Sequence, residues 1–214
     1  MKSSKIFLAT LLSAASLQAS ATQFEVTIQN LTKGQPITPP VVVSHSHSVS
    51  LFKLGSPATN GLSILAQDGV TSELESELSN SNKVFGMATG SGVILPGQSA
   101  TIILKTTKKK SVLSVVGMLA RTNDAIIAVR NIAARLQKGQ SRSLLASVYD
   151  AGAEQNTETC ATIPAPPCNN PGVGTEGGEG FVRLHEGIVG VGDLDLSRDT
   201  FALKAAKVTI KRID

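Results

Sequence analysis

Short apolar segments separated by turn-forming residues constrain the fold of this 214-residue chain more than any other feature. In residues 24–29 apolar and polar side chains alternate, which is the period of a strand with one buried face. Residues 112–120 are apolar enough for a strand at a buried central position. Further strand candidates lie at 41–43, 49–54, 100–106, 125–129, 144–149, 181–185 and 206–213. Such a series predicts a mainly β protein.

One segment follows a different period. In residues 58–79 the apolar side chains recur at helical spacing, and Gly69 is expected to separate two short helices. The predicted fold is therefore an antiparallel β-sandwich with a short helical insertion, and a β-barrel is the alternative. Residues 86–97 and 151–180 are expected to be loops. A loop as long as the second one is usually functional or tied down.

The first residues have the pattern of a secretory signal peptide. Lys2 and Lys5 precede an uncharged apolar stretch at 6–17, and Ala19-Ser20-Ala21 fits a cleavage site. An uncleaved membrane anchor is the alternative, but it needs about 20 apolar residues. We expect residues 1–21 to be removed, residues 22–214 to form one domain, and the protein to be secreted or periplasmic.

Cys160 and Cys168 are the only cysteines, and prolines lie between them. Export permits a disulfide, which would close a small loop. Two free thiols or half of a metal site are the alternatives, although zinc would lack a nearby histidine.

Charge and aromatic content exclude some classes of protein. Without Lys2 and Lys5 the chain keeps 18 of its 20 basic residues against 16 acidic ones, a net charge of +2. This is too mild for a nucleic-acid-binding protein, and the basic run at 108–110 is expected to be a solvated turn. The chain has no Trp and one Tyr, which makes a typical carbohydrate-binding module less favoured.

A polar segment after the predicted strand at 144–149 is the richest in potential ligands. Asp150, Glu154, Asn156 and Glu158 all carry oxygen ligands, and Asp124 at the start of another strand would complete a cup. Ca²⁺ needs six to eight oxygens, often from loops. The spacing is not that of an EF-hand. A solvated acidic loop is the alternative.

The three histidines suggest a second type of metal site. His45 and His47 would face the same side of a strand, which suits a transition metal, and His185 ends a later strand. Hydrogen-bonded surface histidines are the alternative. No G-x-S-x-G, H-E-x-x-H or phosphate-loop motif occurs, so we assign no catalytic residue.

Four stretches carry a family resemblance: 24–45, 122–125, 149–158 and 178–190. They resemble, in the same order, bacterial proteins built from a spondin N-terminal domain. The resemblance implies a C2-like antiparallel β-sandwich in an extracellular setting. In the animal members F-spondin and mindin, this domain binds calcium and serves adhesion.

The resemblance also implies site residues. The calcium carboxylates of the family correspond to Asp124 and Asp150, but a third acidic position corresponds to Lys105. The calcium site is then weaker, rebuilt from Glu154 or Glu158, or lost. Bacterial members often have histidine at the positions of His45 and His185, so another divalent metal is an alternative.

The expected function is a secreted or periplasmic interaction and adhesion module that binds Ca²⁺ and has no catalytic activity. Its loop at 151–180 would contact an extracellular or envelope protein or a glycan, and no nucleic acid. The alternative is a metal-dependent hydrolase that uses His45, His185 and the acidic loop.

Overall fold

The computed structural model of the chain describes residues 21–107, 111–170 and 177–214. The predicted signal peptide lies outside these ranges except for Ala21. The predicted basic turn at 108–110 and residues 171–176 of the predicted long loop also lie outside them.

The described residues form nine antiparallel strands, three α-helices and one 3-10 turn at Cys160–Thr162. The helices are α1 (Asn60–Asp68), α2 (Ser72–Ser79) and α3 (Leu196–Asp199). The strands are β1 (Thr22–Asn30), β2 (Val41–His45), β3 (Val84–Thr89), β4 (Ser99–Thr106), β5 (Val112–Met118), β6 (Ala125–Ala133), β7 (Ser141–Asp150), β8 (Arg183–Leu184) and β9 (Lys204–Arg212). The prediction of a mainly β, antiparallel fold with a helical insertion is confirmed.

All strands belong to one sheet that folds back on itself. The order is β3-β2-β5-β6-β7-β9-β1-β4, and β8 pairs with β7. The two ends of this order approach each other: the Thr107 N–H donates to the Phe85 carbonyl at 3.0 Å, and the Ser44 and Thr106 hydroxyls lie 2.7 Å apart. The sheet is therefore nearly closed and combines features of a sandwich and a barrel.

The core has an inner and an outer part. The alternating side chains of β1, such as Phe24 and Ile28, are fully buried between the two halves of the sheet. Helices α1 and α2 cover β2, β5 and β6 from outside, where Leu62 and Leu65 pack with Met118. Strand β5 is consequently buried on both faces, as its apolar sequence predicts.

The helical insertion begins and ends as its sequence predicts. The Thr59 hydroxyl accepts a hydrogen bond from the Leu62 N–H at the start of α1. Gly69 ends the helix with φ at 71°, a left-handed conformation that favours glycine. The predicted break between two helices is confirmed.

Two predicted elements were wrong in detail. Residues 49–54 form no strand; Leu51 and Phe52 are buried in the helix-covered part of the core, which explains why the segment is apolar. Residues 86–89 belong to β3 and not to a loop. Gly86 lies inside the strand, where β3 approaches the Lys105 carbonyl too closely for any side chain.

The predicted disulfide between Cys160 and Cys168 is confirmed. The bridged loop is tied to the turn that follows β5, because the Ala165 N–H donates to the Ala120 carbonyl at 3.2 Å. Ile163 in this loop packs with Ile188 and Leu194 in a small separate cluster. The long predicted loop is thus anchored at one end of the sheet.

Candidate functional site

Asp124 and Asp150 lie together at that end of the sheet. Asp150 ends β7 directly opposite Ala125, the first residue of β6, so Asp124 is its diagonal neighbour. The Ala151 N–H also donates to the Asp124 carbonyl at 3.3 Å. Both side chains are fully buried. The structure therefore brings together the two carboxylates that the sequence singled out.

The Asp124 carboxylate has one engaged oxygen and one orphaned oxygen. Oδ2 accepts hydrogen bonds from the Ala153 and Glu154 N–H groups at 2.6 and 3.1 Å. Oδ1 is buried and has no hydrogen-bond partner in the described part of the chain. Burial, and then the nearby charge of Asp150, raise the pKa of Asp124 to about 7. A cation bound beside Oδ1 would stabilise the ionised carboxylate and so lower this raised pKa.

Asp150 is more fully satisfied than Asp124. Oδ1 accepts from the Gly152 N–H at 2.7 Å, and Oδ2 accepts from the Asn156 amide at 2.6 Å. The guanidinium of Arg183 lies 3.0 Å from Oδ2 and also pairs with Glu179 and Glu186, both at 2.7 Å. A positive group of the protein itself therefore already compensates this carboxylate.

Glu154 and Glu158 are both buried in the same loop. The two carboxylate oxygens of Glu158 accept three backbone hydrogen bonds, at 2.6, 2.6 and 3.0 Å, from the N–H groups of residues 189–191. Its own N–H donates to the Asn123 side chain at 3.1 Å. Glu158 therefore joins the loop after β7 to the loop after β8.

His185 lies next to this cluster. Its Nδ1 accepts a hydrogen bond from the Gly187 N–H at 2.8 Å, so the neutral ring carries its proton on Nε2. Nε2 is buried without a partner in the described residues, and burial lowers the pKa of the ring. With Asn156, Glu158 and Arg183, His185 lines a cavity of about 280 Å³.

The other two predicted positions lie elsewhere. His45 is buried at the end of β2, where its Nδ1–H donates to the Ser46 carbonyl at 2.9 Å and its Nε2 accepts from the Ser114 hydroxyl at 2.8 Å. Strands β5 and β6 separate β2 from β7, so His45 and His185 are not brought together. Lys105 is exposed on β4, and β1 and β9 separate that strand from β7.

Sequence reasoning missed Arg183 as the cation of this site. Sequence reasoning noted only Lys105, which stands where the family has a third acidic ligand. Arg183 pairs with Asp150 across the β7–β8 ladder, a contact between residues 33 positions apart that no local pattern indicates. The only signal was the position of Arg183 in a stretch with family resemblance.

The cluster of buried carboxylates around Asp124 and Asp150 meets some requirements of a binding site for a hard cation such as Ca²⁺, but not others. Asp124 offers a buried oxygen without a hydrogen-bond partner among the described residues, and the buried Asp150 carboxylate lies close to it along the strand ends. The oxygens of Asp150 and Glu158 are engaged with protein donors. Across residues 21–107, 111–170 and 177–214, no three His, Cys, Asp or Glu side chains are arranged to hold a metal ion.

Comparison with known proteins assigns the chain to a family. None of the helices in the described ranges is both long and apolar enough to cross a bilayer. No curated protein matches the sequence. The family model described as Spondin_N matches residues 33–170, which is more than half of the chain and includes Asp124, Asp150, Glu154 and Glu158. The chain therefore belongs to the spondin N-terminal domain family.

Proposed function

We propose that this protein is a secreted or periplasmic interaction module in which the sheet presents a fixed set of loops to a partner. The observation that carries the proposal is the use of the buried carboxylates. Asp124, Asp150 and Glu158 each accept backbone N–H groups from the loops that follow β7 and β8. Their oxygens hold the loops in place, as a recognition edge requires. Family membership and the Cys160–Cys168 disulfide support an extracytoplasmic setting.

The proposal includes a Ca²⁺ ion held by Asp124 together with Asp150. The orphaned Asp124 Oδ1 and the complete burial of both aspartates support it. Ca²⁺ prefers such oxygen ligands, and its charge would favour the ionised form of Asp124. A transition metal at His45 has less support, since both ring nitrogens of His45 already have hydrogen-bond partners.

Thermal melting with and without metal tests the ion. An ion that binds only the folded protein must raise the melting temperature, so Ca²⁺ added after chelation is expected to raise it. Asp124→Asn should abolish the rise, while Glu73→Gln, an exposed change on α2, should leave it intact. The calcium part of the proposal is wrong if the melting temperature ignores Ca²⁺. It is also wrong if both variants respond like the original chain.

The hydrolase alternative has no comparable support. It required His45, His185 and the acidic loop to share one site, but His45 lies on β2 with two strands between it and β7. We therefore propose a non-catalytic role. Hydrolysis of ester, peptide or glycoside reporters that disappears in His185→Ala but persists in His47→Ala would contradict this proposal.

A further inference from the structure

One half of the sheet has an outer face on which polar side chains predominate, with Leu145 and Ile103 as exposed apolar side chains among them. Strands β7, β9, β1 and β4 lie side by side, and the pairing aligns Ser143, Thr209, Thr27 and Thr101 in one row. The inward neighbours in these strands, such as Val26 and Val208, belong to the core, so this row points outwards. We call this outer surface the open face.

Lysines lie on both sides of the hydroxyl row. Lys207 and Lys211 on β9 precede and follow Thr209, and Lys105 lies two strands away on β4. All three are exposed, and none forms an ion pair within the described residues. An acidic side chain, that of Glu25 on β1, also lies on this part of the face. It is half-buried and stands opposite Lys211 on β9. Strand geometry places Lys207 and Lys211 about 13 Å apart, and β9 about 10 Å from β4. The open face is therefore positively charged around the hydroxyl row.

The hydroxyl row supplies donors and acceptors between these charges. The Ser143 and Thr209 hydroxyls lie 2.8 Å apart, and those of Thr27 and Thr101 lie 3.0 Å apart. No aromatic side chain occupies these outward strand positions. Bases and neutral sugars that bind by stacking would find no ring here. The surface offers point charges for anionic groups and hydroxyls for polar ones, beside the exposed apolar side chains of Leu145 and Ile103.

We propose that the open face binds an acidic polysaccharide, a glycan chain that carries sulfate or carboxylate groups. Lysine ammonium groups attract such anions, and the Ser and Thr hydroxyls can exchange hydrogen bonds with sugar hydroxyls. Duplex DNA is disfavoured because the charge of the chain is mild, and an anionic membrane because the open face lacks an amphipathic helix. The inference deepens the proposed function by naming a partner class, and it rests on an extracytoplasmic location.

Binding to immobilised heparin, used as the probe, tests this inference. At about 50 mM salt, we expect the double variant Lys207→Gln/Lys211→Gln to bind heparin on the order of tenfold more weakly than the original chain. Its affinity should also depend less on the salt concentration. Lys53→Gln/Lys83→Gln removes the same charge near the helices, where both lysines are exposed, and should stay within about twofold. Equal melting temperatures of the two variants would verify that both are folded.

The inference is wrong if the original chain does not bind heparin, or if both double variants lose affinity equally. Tighter binding to duplex DNA or to phosphatidylglycerol vesicles than to heparin at the same salt would also overturn it. The Asp124→Asn variant should bind heparin normally, because Asp124 lies outside the open face. A failed calcium test and a failed heparin test are therefore distinguishable.

Discussion

At the scale of single residues, Glu158 has a role that its residue type does not reveal. Acidic side chains are usually exposed, but this one is 3% exposed and receives three backbone N–H groups. A carboxylate suits this position because both of its oxygens accept hydrogen bonds and neither donates. Glu158 therefore acts as a fixed negative cap for the loop at 189–191.

Glu158→Gln should destabilise the protein for this reason. The amide replaces one acceptor by a donor that faces backbone donors, so we expect a loss of about 2 kcal/mol in the free energy of unfolding. Urea unfolding measures it. Glu186→Gln changes an exposed partner of Arg183 and should cost at most about 0.5 kcal/mol. Equal losses would show that Glu158 does not hold the loop.

Asp124 makes stability depend on pH in an unusual direction. Its pKa in the folded protein, about 7, lies above the ordinary value of 3.8, so the folded state binds the extra proton between these limits. The stability contributed by this group is full below about pH 4 and is lost as the pH rises through 7.

Asp124→Asn removes this titration. In chelator, the stability of the variant relative to the original chain should increase from pH 5 to pH 8, by more than about 1 kcal/mol. Urea unfolding across this range provides the measurement. A relative stability that does not change with pH would contradict the raised pKa.

At the scale of elements, the near-closure of the sheet depends on how closely β3 can approach β4. Gly86 makes this approach possible, because a Cβ at this position would meet the Lys105 carbonyl. The adjacent hydrogen bond from the Thr107 N–H to the Phe85 carbonyl joins the two sheet ends. A single methyl group should therefore disturb the contact between the first and last strands in the sheet order.

Gly86→Ala is expected to cost about 2 kcal/mol or more, because the backbone of two strands must shift. Gly92→Ala is the matched control, since nothing lies within 4 Å of its added Cβ, and it should be nearly neutral. Urea unfolding measures both. Hydrogen exchange of the Thr107 amide should accelerate only in Gly86→Ala; unchanged exchange there would contradict the closure.

At the scale of the whole molecule, the two cysteines and the first 21 residues lead to one expectation. Expression of the full chain in a bacterium should yield, outside the cytosol, a protein that begins at Thr22 and has no free thiol, because disulfides persist in oxidising compartments. Intact mass and thiol alkylation measure both properties. A full-length product in the cytosol would contradict export.

The sequence alone was sufficient for features that depend on neighbouring residues. The alternation of β1, the apolar run of β5 and the break at Gly69 each reflect a local period or a local backbone requirement. Those signals predicted a mainly β chain with two helices. They also placed Asp124 and Asp150 at strand ends, which is why the pair was found.

Only the tertiary structure decided which distant residues meet. The pairing of β7 with β8 places Arg183 beside Asp150, and the sheet order places Lys105 and His45 away from them. Glu158 and Gly86 likewise owe their roles to segments remote in sequence. The physical reason is that local patterns depend on the conformation of a few adjacent residues. Strand order and register depend on packing the whole core, which no short segment encodes.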